Sequence, residues 1–204
     1  MSRIVKIFAG LYQFSKNDFD DESYIIGVDK GALELINNEI QVDLAVGDFD
    51  SINEEELKLV KSKIDNVKIL NSIKDDTDLE HVLTNYIKKD DIVYCYGVLG
   101  ERMDHTYANL MLLSRFSDYE ITLFNENNKV FLLNKGEHKL YKEKYKYFSL
   151  YSLEESKVSI SMCKYPLEEY LLKFGNTLIT SNEIIDEFSK ICIHEGRVFV
   201  IQSN

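Results

Sequence analysis

Apolar and polar positions follow two different rhythms along the 204 residues of this chain. Up to about residue 127, short apolar runs at 4–9, 24–28, 44–46, 67–70, 92–96 and 121–124 are separated by segments of helical period. The runs are rich in β-branched and aromatic residues, which predicts six strands. Between the fourth and fifth, Leu79, Val82, Leu83, Tyr86 and Ile87 fall on one face of a helix, with Lys88 and Lys89 at the end where cations suit the helix dipole. Ser51 or Asn53 can cap a helix through 54–61, and Asp104 can start one that runs to Arg115. Alternation of strand and helix predicts an α/β fold, a mostly parallel Rossmann-like sheet flanked by helices.

From residue 128 the rhythm changes to period two, as in 144–153, 157–162 and 197–202, with dense Tyr, Phe, Ser and Lys and no long helix-period segment. This predicts a smaller antiparallel β-sandwich over 128–204, following an α/β domain over 1–127. A unit of that size buries little core and is expected to lean on the first domain or on another subunit.

Composition narrows the function. With 45% hydrophobic and 29% charged residues the chain is an ordinary globular one. Its formal net charge of -11 argues against a sequence-independent grip on nucleic acid and against docking on anionic lipid. An acidic chain that takes a polyphosphate must bring a divalent cation to screen the repulsion. No run approaches the roughly 18 apolar residues of a membrane span, and the N-terminus lacks a signal-peptide pattern, so no membrane partner and a cytoplasmic location are expected. Cys95, Cys163 and Cys192 are odd in number and widely spaced, which suits reduced thiols without assigned chemistry; His81, His138 and His194 lack ligand spacing.

The chemistry-bearing residues follow the apolar runs. Gly27-Val28-Asp29-Lys30-Gly31-Ala32, Val46-Gly47-Asp48-Phe49-Asp50-Ser51, Lys74-Asp75-Asp76-Thr77-Asp78 and Gly97-Val98-Leu99-Gly100-Glu101-Arg102-Met103-Asp104-His105 each stand where a parallel strand delivers them to one sheet edge. Asp and Ser also make turns and caps, so one such segment alone is equally a solvated turn, and Asp78 alone equally a first-turn acid. Repetition of the same placement favours a Mg-nucleotide site. Asp48 and Asp50 lie two apart on a turn and Asp78 opens the next helix, so all three can converge on one Mg²⁺. Lys74 and Arg102 are the cations expected on ATP phosphates, a point charge and a planar fork, with Thr77, Asp104 and His105 beside them. Asp104-His105 also admits an acid/base pair, the less favoured reading.

In this order and spacing the segments resemble the thiamine pyrophosphokinase family, and Thr180-Ser181-Asn182-Glu183 with the closing Glu195-Gly196-Arg197-Val198-Phe199-Val200-Ile201-Gln202 extends the resemblance over nearly the whole chain. Lys30 and Glu101 depart from it, standing where the family more often has Gly. The resemblance implies transfer of pyrophosphate from ATP to the hydroxyl of thiamine, giving thiamine diphosphate and AMP. It implies Asp48, Asp50 and Asp78 as Mg²⁺ ligands, Asp29 as an acid orienting the substrate hydroxyl or a metal-bound water, and Ser181 and Asn182 at the thiamine site. It further implies a homodimer whose substrate pocket joins the α/β domain of one chain to the β domain of the other. The alternatives are a Mg-dependent nucleotidyl- or glycosyltransferase using Asp48-Phe49-Asp50, and a non-catalytic nucleotide-binding module.

Overall fold

Six strands, β1 (Ile4–Ala9), β2 (Tyr24–Val28), β3 (Leu44–Gly47), β4 (Val67–Ile69), β5 (Ile92–Tyr96) and β6 (Glu120–Phe124), pair in parallel in the order β4-β3-β2-β1-β5-β6. This is a computed structural model, and it describes residues 2–10, 19–20, 22–73, 75–100 and 102–204. The strand order reverses between β1 and β5, where Phe8 stands opposite Tyr96. At such a switch point the connections leave in opposite directions and open a crevice beyond the carboxyl ends, the usual place for a ligand in an open parallel sheet. Strands buried on both faces read as continuous apolar runs, which is why β1, β2, β3, β5 and β6 were visible in the sequence, while the short edge strand β4 is largely exposed.

Four helices return the chain: α1 (Lys30–Asn37), α2 (Glu54–Lys63), α3 (Asp78–Asn85) and α4 (Met103–Arg115). Asn53, not Ser51, caps α2: its Oδ1 accepts from the N–H groups of Glu55 and Glu56, while the Asn53 N–H donates to Glu56 Oε2 at 2.8 Å. Two expectations need correction. Helix α3 stops at Asn85, leaving Ile87, Lys88 and Lys89 outside it, because the Lys88 N–H donates to Asp91 Oδ2 and the Asp91 carboxylate also holds Arg3, turning the chain into β5. Helix α4 starts at Met103 with Arg102 as its N-cap, one residue before Asp104. The N-cap of helix α1 is Asp29, whose side chain makes no capping hydrogen bond. The helix lies directly on the sheet backbone: a Cβ on Gly31 would come within 2.2 Å of the Phe8 carbonyl oxygen, and one on Gly27 within 2.5 Å of Ala32 Cα. Phe8, Ile25, Leu35, Ala45, Val60 and Ile64 form a core between this sheet and its helices.

The backbone divides into two units, Met1–Asn125 and Glu126–Asn204. The second is all β: β7 (Asn128–Leu133), β8 (Gly136–Tyr141), β9 (Tyr147–Tyr151), β10 (Ser156–Ser161), β11 (Leu167–Leu172), β12 (Phe188–Glu195) and β13 (Val198–Ser203). Strands β7-β13-β9 and β11-β10-β12-β8 form two antiparallel groups. Phe148, Leu150, Val198 and Val200 from the first pack with Leu140, Val158, Ile160, Leu172, Ile191 and Ile193 from the second. The unit is therefore a β-sandwich, with apolar positions alternating inward as period two demands. Among the described residues no helix is long and apolar enough to cross a membrane.

Candidate active site

The carboxyl edge of the parallel sheet gathers three of the acids. Asp29 follows β2 and adopts φ 48°, and Phe49, between Asp48 and Asp50 after β3, adopts φ 57° while its side chain is buried. Non-glycine residues at positive φ are uncommon, and here two of them are tied together. The Phe49 N–H donates to Asp29 Oδ1 at 3.1 Å, and the Asp29 N–H donates to the Val46 carbonyl at 3.0 Å. Gly47 makes the approach possible, since a Cβ there would fall 1.9 Å from Asp29 Oδ1. On the far side, the Leu70 N–H donates to the Gly47 carbonyl at 2.8 Å, fixing the exit of β4 against the same turn.

The electrostatics of this edge are those of crowded acids. Burial first, then the neighbouring Asp78 carboxylate, pushes Asp29 up to about 7; a hydrogen bond shared with the Asp78 side chain and the charge of Asp48 act in the same direction, while the Phe49 N–H opposes them. Like charges in one partly dry site cannot all ionise cheaply. Asp78 sits in the first turn of α3, whose N-cap is Thr77: Thr77 Oγ1 accepts from the Glu80 N–H at 3.2 Å, so the threonine hydroxyl holds the helix that presents Asp78. Asp50 is exposed on the turn, and its N–H donates to Asp48 Oδ1 at 3.2 Å. Lys74 and Glu101 lie outside the described residues. His81 Nδ1 lies 2.9 Å from Asp76 Oδ2, a brace between α3 and the preceding loop.

The loop after β5 brings Arg102, Asp104 and His105, all exposed, to the start of α4. Arg102 spends its fork on Asp104, with Nη2 donating to Oδ2 at 2.6 Å. Two residues that sequence reasoning missed hold this loop. Asn109 Nδ2, buried, donates to the Val98 carbonyl at 2.8 Å, and Thr106 Oγ1 accepts from the Gly100 N–H at 3.1 Å. The available signal was a polar Asn on the helix face that also carries Leu112 and Leu113. Lys30, where a glycine was more usual, is simply the first residue of α1.

In the sandwich, Ser181 is exposed at φ 57° and Asn182 is buried beside it. The Asn182 amide is used up internally. Its Oδ1 accepts from the Tyr165 and Glu183 N–H groups, at 3.0 and 2.9 Å, and its Nδ2 donates to the Tyr165 carbonyl at 2.9 Å and to Cys163 Sγ at 3.5 Å. Its backbone pairs with Phe148 in both directions. Through these bonds the Asn182 side chain pins the turn that exposes Ser181, whose N–H donates to Ser149 Oγ at 3.0 Å.

An open parallel sheet with crowded acids on its carboxyl edge, followed by a β-sandwich, defines an α/β transferase with an appended β unit. Residues 16–125 match the family model for the thiamin pyrophosphokinase catalytic domain, and residues 137–198 that for its vitamin B1 binding domain. Thiamine pyrophosphokinase of Bacillus subtilis is 31% identical over 190 residues, covering 90% of this chain and 89% of that protein. A crystal structure of the Bacillus subtilis thiamine pyrophosphokinase superposes with a TM-score of 0.91 over 99% of both chains, at 29% identity. One of a thiamin pyrophosphokinase family protein from Enterococcus faecalis gives 0.87 at 28% identity, covering 100% of this chain and 99% of that one. The chain belongs to the thiamine pyrophosphokinase family.

Proposed function

We infer that this protein is a thiamine diphosphokinase, moving pyrophosphate from ATP to the thiamine hydroxyl and releasing AMP. Family membership over nearly the full chain carries the reaction class. On the molecule itself, the supporting observation is the meeting of Asp29, Asp48 and Asp78 at the sheet edge, where burial and the neighbouring carboxylates push Asp29 up to about 7. Such crowding has no value for stability, and it is what a cation relieves. Asp48, Asp50 and Asp78 would hold Mg²⁺, which when bound neutralises phosphate oxygens. A complete protein cage is not required, since Mg²⁺ keeps waters and takes only one or two carboxylates with substrate oxygens. Among the described residues no group of three or more Asp, Glu, His or Cys forms such a cage.

The remaining work is positioning and charge, which suffice when the transition state is loose. Asp29 orients the turn of Asp48 and Asp50 through the Phe49 N–H. Arg102 exchanges Asp104 for phosphate oxygens, an easy exchange because an exposed ion pair is weak, and Lys74 adds a point charge. His105 lines the same loop. Ser181, held by Asn182, offers its hydroxyl to thiamine. The exposed Tyr165, Phe174, Leu178 and Ile185 of the sandwich support a homodimer in which a second chain completes the site. The enzyme is cytoplasmic, with no nucleic-acid or membrane partner.

The test is AMP formation from ATP that depends on both thiamine and Mg²⁺. Release of a nucleoside diphosphate would point to sugar transfer instead, and no release to a binding module. Subunit sharing is tested by mixing an Asp48→Ala chain with a Ser181→Trp chain, each inactive alone. Random exchange leaves about half the dimers mixed, each with one intact site, so activity should return to roughly a quarter of wild type. Co-purified mixed dimers without activity would place each site within one chain.

A further inference from the structure

The outer face of the four-stranded group carries a second set of reactive side chains, far in sequence from every acid described above. Cys192 and His194 stand two apart on β12 and so share a face, with Cys192 Sγ 3.7 Å from His194 Nδ1. The other ring nitrogen, His194 Nε2, lies 2.8 Å from Ser159 Oγ on the neighbouring β10. Ser159 Oγ in turn accepts from the Glu169 N–H at 2.9 Å. That last bond is made by a bulge: the register of β10 on β11 shifts between Val158 and Ile160, and Glu169 takes φ 46°. Bulges that re-aim a group in this way are common beside reactive sites. All three side chains are half-buried, and Cys192 and Ser159 line a pocket of about 820 Å³ that also contains Lys139, Lys190, Glu137 and Ser161.

We propose that this is a thiol-exchange site, in which Cys192 forms a mixed disulfide with a small disulfide bearing carboxylates. A nucleophile beside a base that is oriented by a third group is the arrangement that activates a thiol. His194 Nδ1 takes the Cys192 proton, and the resulting imidazolium donates from Nε2 to Ser159 Oγ, which is held by the Glu169 N–H. The Cys192 sulfur attacks one sulfur of the ligand, a new S–S bond forms, and the old one breaks. The departing thiolate receives the proton from His194. Cys192 is oxidised and one half of the ligand is reduced, so no further oxidant is needed. Lys139 and Lys190 are direct partners across β8 and β12 and suit the carboxylates of such a guest, while Glu137, opposite Cys192 in the same register, and Glu168 on the pocket wall suit its ammonium groups. The pocket is of the size that takes such a molecule.

The experiment treats the intact protein at pH 7 with oxidised glutathione, or with the neutral hydroxyethyl disulfide, and follows adducts by mass spectrometry. The expected result is a single glutathione adduct at Cys192, formed about tenfold faster than on an unassisted peptide thiol. Cys95 and Cys163, both buried, stay unmodified. Cys192→Ser abolishes the adduct, and His194→Asn brings the rate down to that of the peptide thiol. Should His194→Asn fail to fold, Ser159→Ala gives the same test through the orienting bond. Lys139→Gln with Lys190→Gln slows the acidic disulfide several-fold relative to the neutral one. Unchanged rates in both the His194 and Ser159 variants, absence of an adduct, or reaction first at another cysteine would each overturn the site. An equal effect of the lysine changes on both disulfides would overturn its preference for an acidic ligand.

Discussion

Asp29 at the sheet edge and Asn182 in the sandwich each lie at a turn with positive φ, one of them at Asp29 itself and the other at Ser181, yet their side chains are in opposite conditions. Every polar atom of the Asn182 amide has a partner of suitable chemistry. Asp29 is half-buried beside Asp78 and Asp48, and burial first, then the Asp78 carboxylate, pushes it up to about 7. Buried polar groups are normally satisfied, and crowded like charges with displaced titration cluster at functional sites. The two turns therefore differ in kind, one internally satisfied and the other crowded with acids, although short motifs mark both as site residues.

The sharpest way to break this comparison is at the acids themselves. Asp48→Asn and Asp78→Asn should each lower turnover by about 10²–10³-fold, because charge neutralisation of the phosphates is lost at the transition state. Circular dichroism and thermal midpoint should stay near wild type. Turnover measured against Mg²⁺ concentration checks the first, and near-normal rates in both variants would remove the edge from the active site.

Asn182→Ala should act in the opposite currency. It strands the Tyr165 N–H and C=O and the Glu183 N–H, and should lower stability by about 2–4 kcal/mol. Urea unfolding measures the loss. Activity of the fraction that remains folded should change through KM for thiamine, as Ser181 shifts, with kcat little affected. A large fall in kcat at unchanged stability would mean that the Asn182 amide reaches the substrate after all.

How much of this was legible in advance depends on where the partners lie. The strands of the parallel sheet announce themselves as apolar runs, and α2 through its Asn53–Glu56 box, because those signals are local. Helix α1 did not, since its N-cap Asp29 has a left-handed backbone and its Oδ1 accepts from Phe49, 20 residues away. Edge strand β11, with Glu168 and Glu169 in succession, shows little alternation because the bulge against β10 at Glu169 breaks its period of two. The acids were legible as a set through their repeated placement after strands. The partners through which Asn182 holds its turn were not, because Phe148 and Tyr165 are brought to it only by the fold.

A third prediction uses pH to sharpen the same contrast. The Asp29 carboxyl is pushed up to about 7 in the folded protein and returns to its ordinary 3.8 when unfolded, so the native state binds more protons between those values. Stability of the metal-free protein should therefore fall as pH rises from about 4 to about 7 and level off above. Asp29→Asn keeps an acceptor for the Phe49 N–H but removes the charge. It should flatten this slope and make the metal-free protein more stable at pH 8, by on the order of 1–3 kcal/mol. Chemical unfolding in chelator at pH 5 and pH 8 gives the comparison, and saturating Mg²⁺ should shrink the difference between the two proteins. Equal slopes in wild type and variant would show that Asp29 is not strained by its neighbours.

The smallest expected effect is at Asn53, which lies three residues from Asp50 but belongs with Asn182 in kind. Its side chain satisfies the first turn of α2 and has its own N–H satisfied by Glu56. Asn53→Ala removes that cap and should cost about 1 kcal/mol of stability, the usual worth of an N-cap. Helix α2 is anchored beyond its first turn by Val60, which is buried in the α/β core, so the loss should stay local to the helix start. Turnover and its dependence on Mg²⁺ should then remain at wild-type values. If Asn53→Ala instead weakens Mg²⁺ dependence as Asp48→Asn does, the capping box is part of what holds the Asp48-Phe49-Asp50 turn in place, and the boundary between the satisfied and the frustrated regions runs through α2 rather than before it.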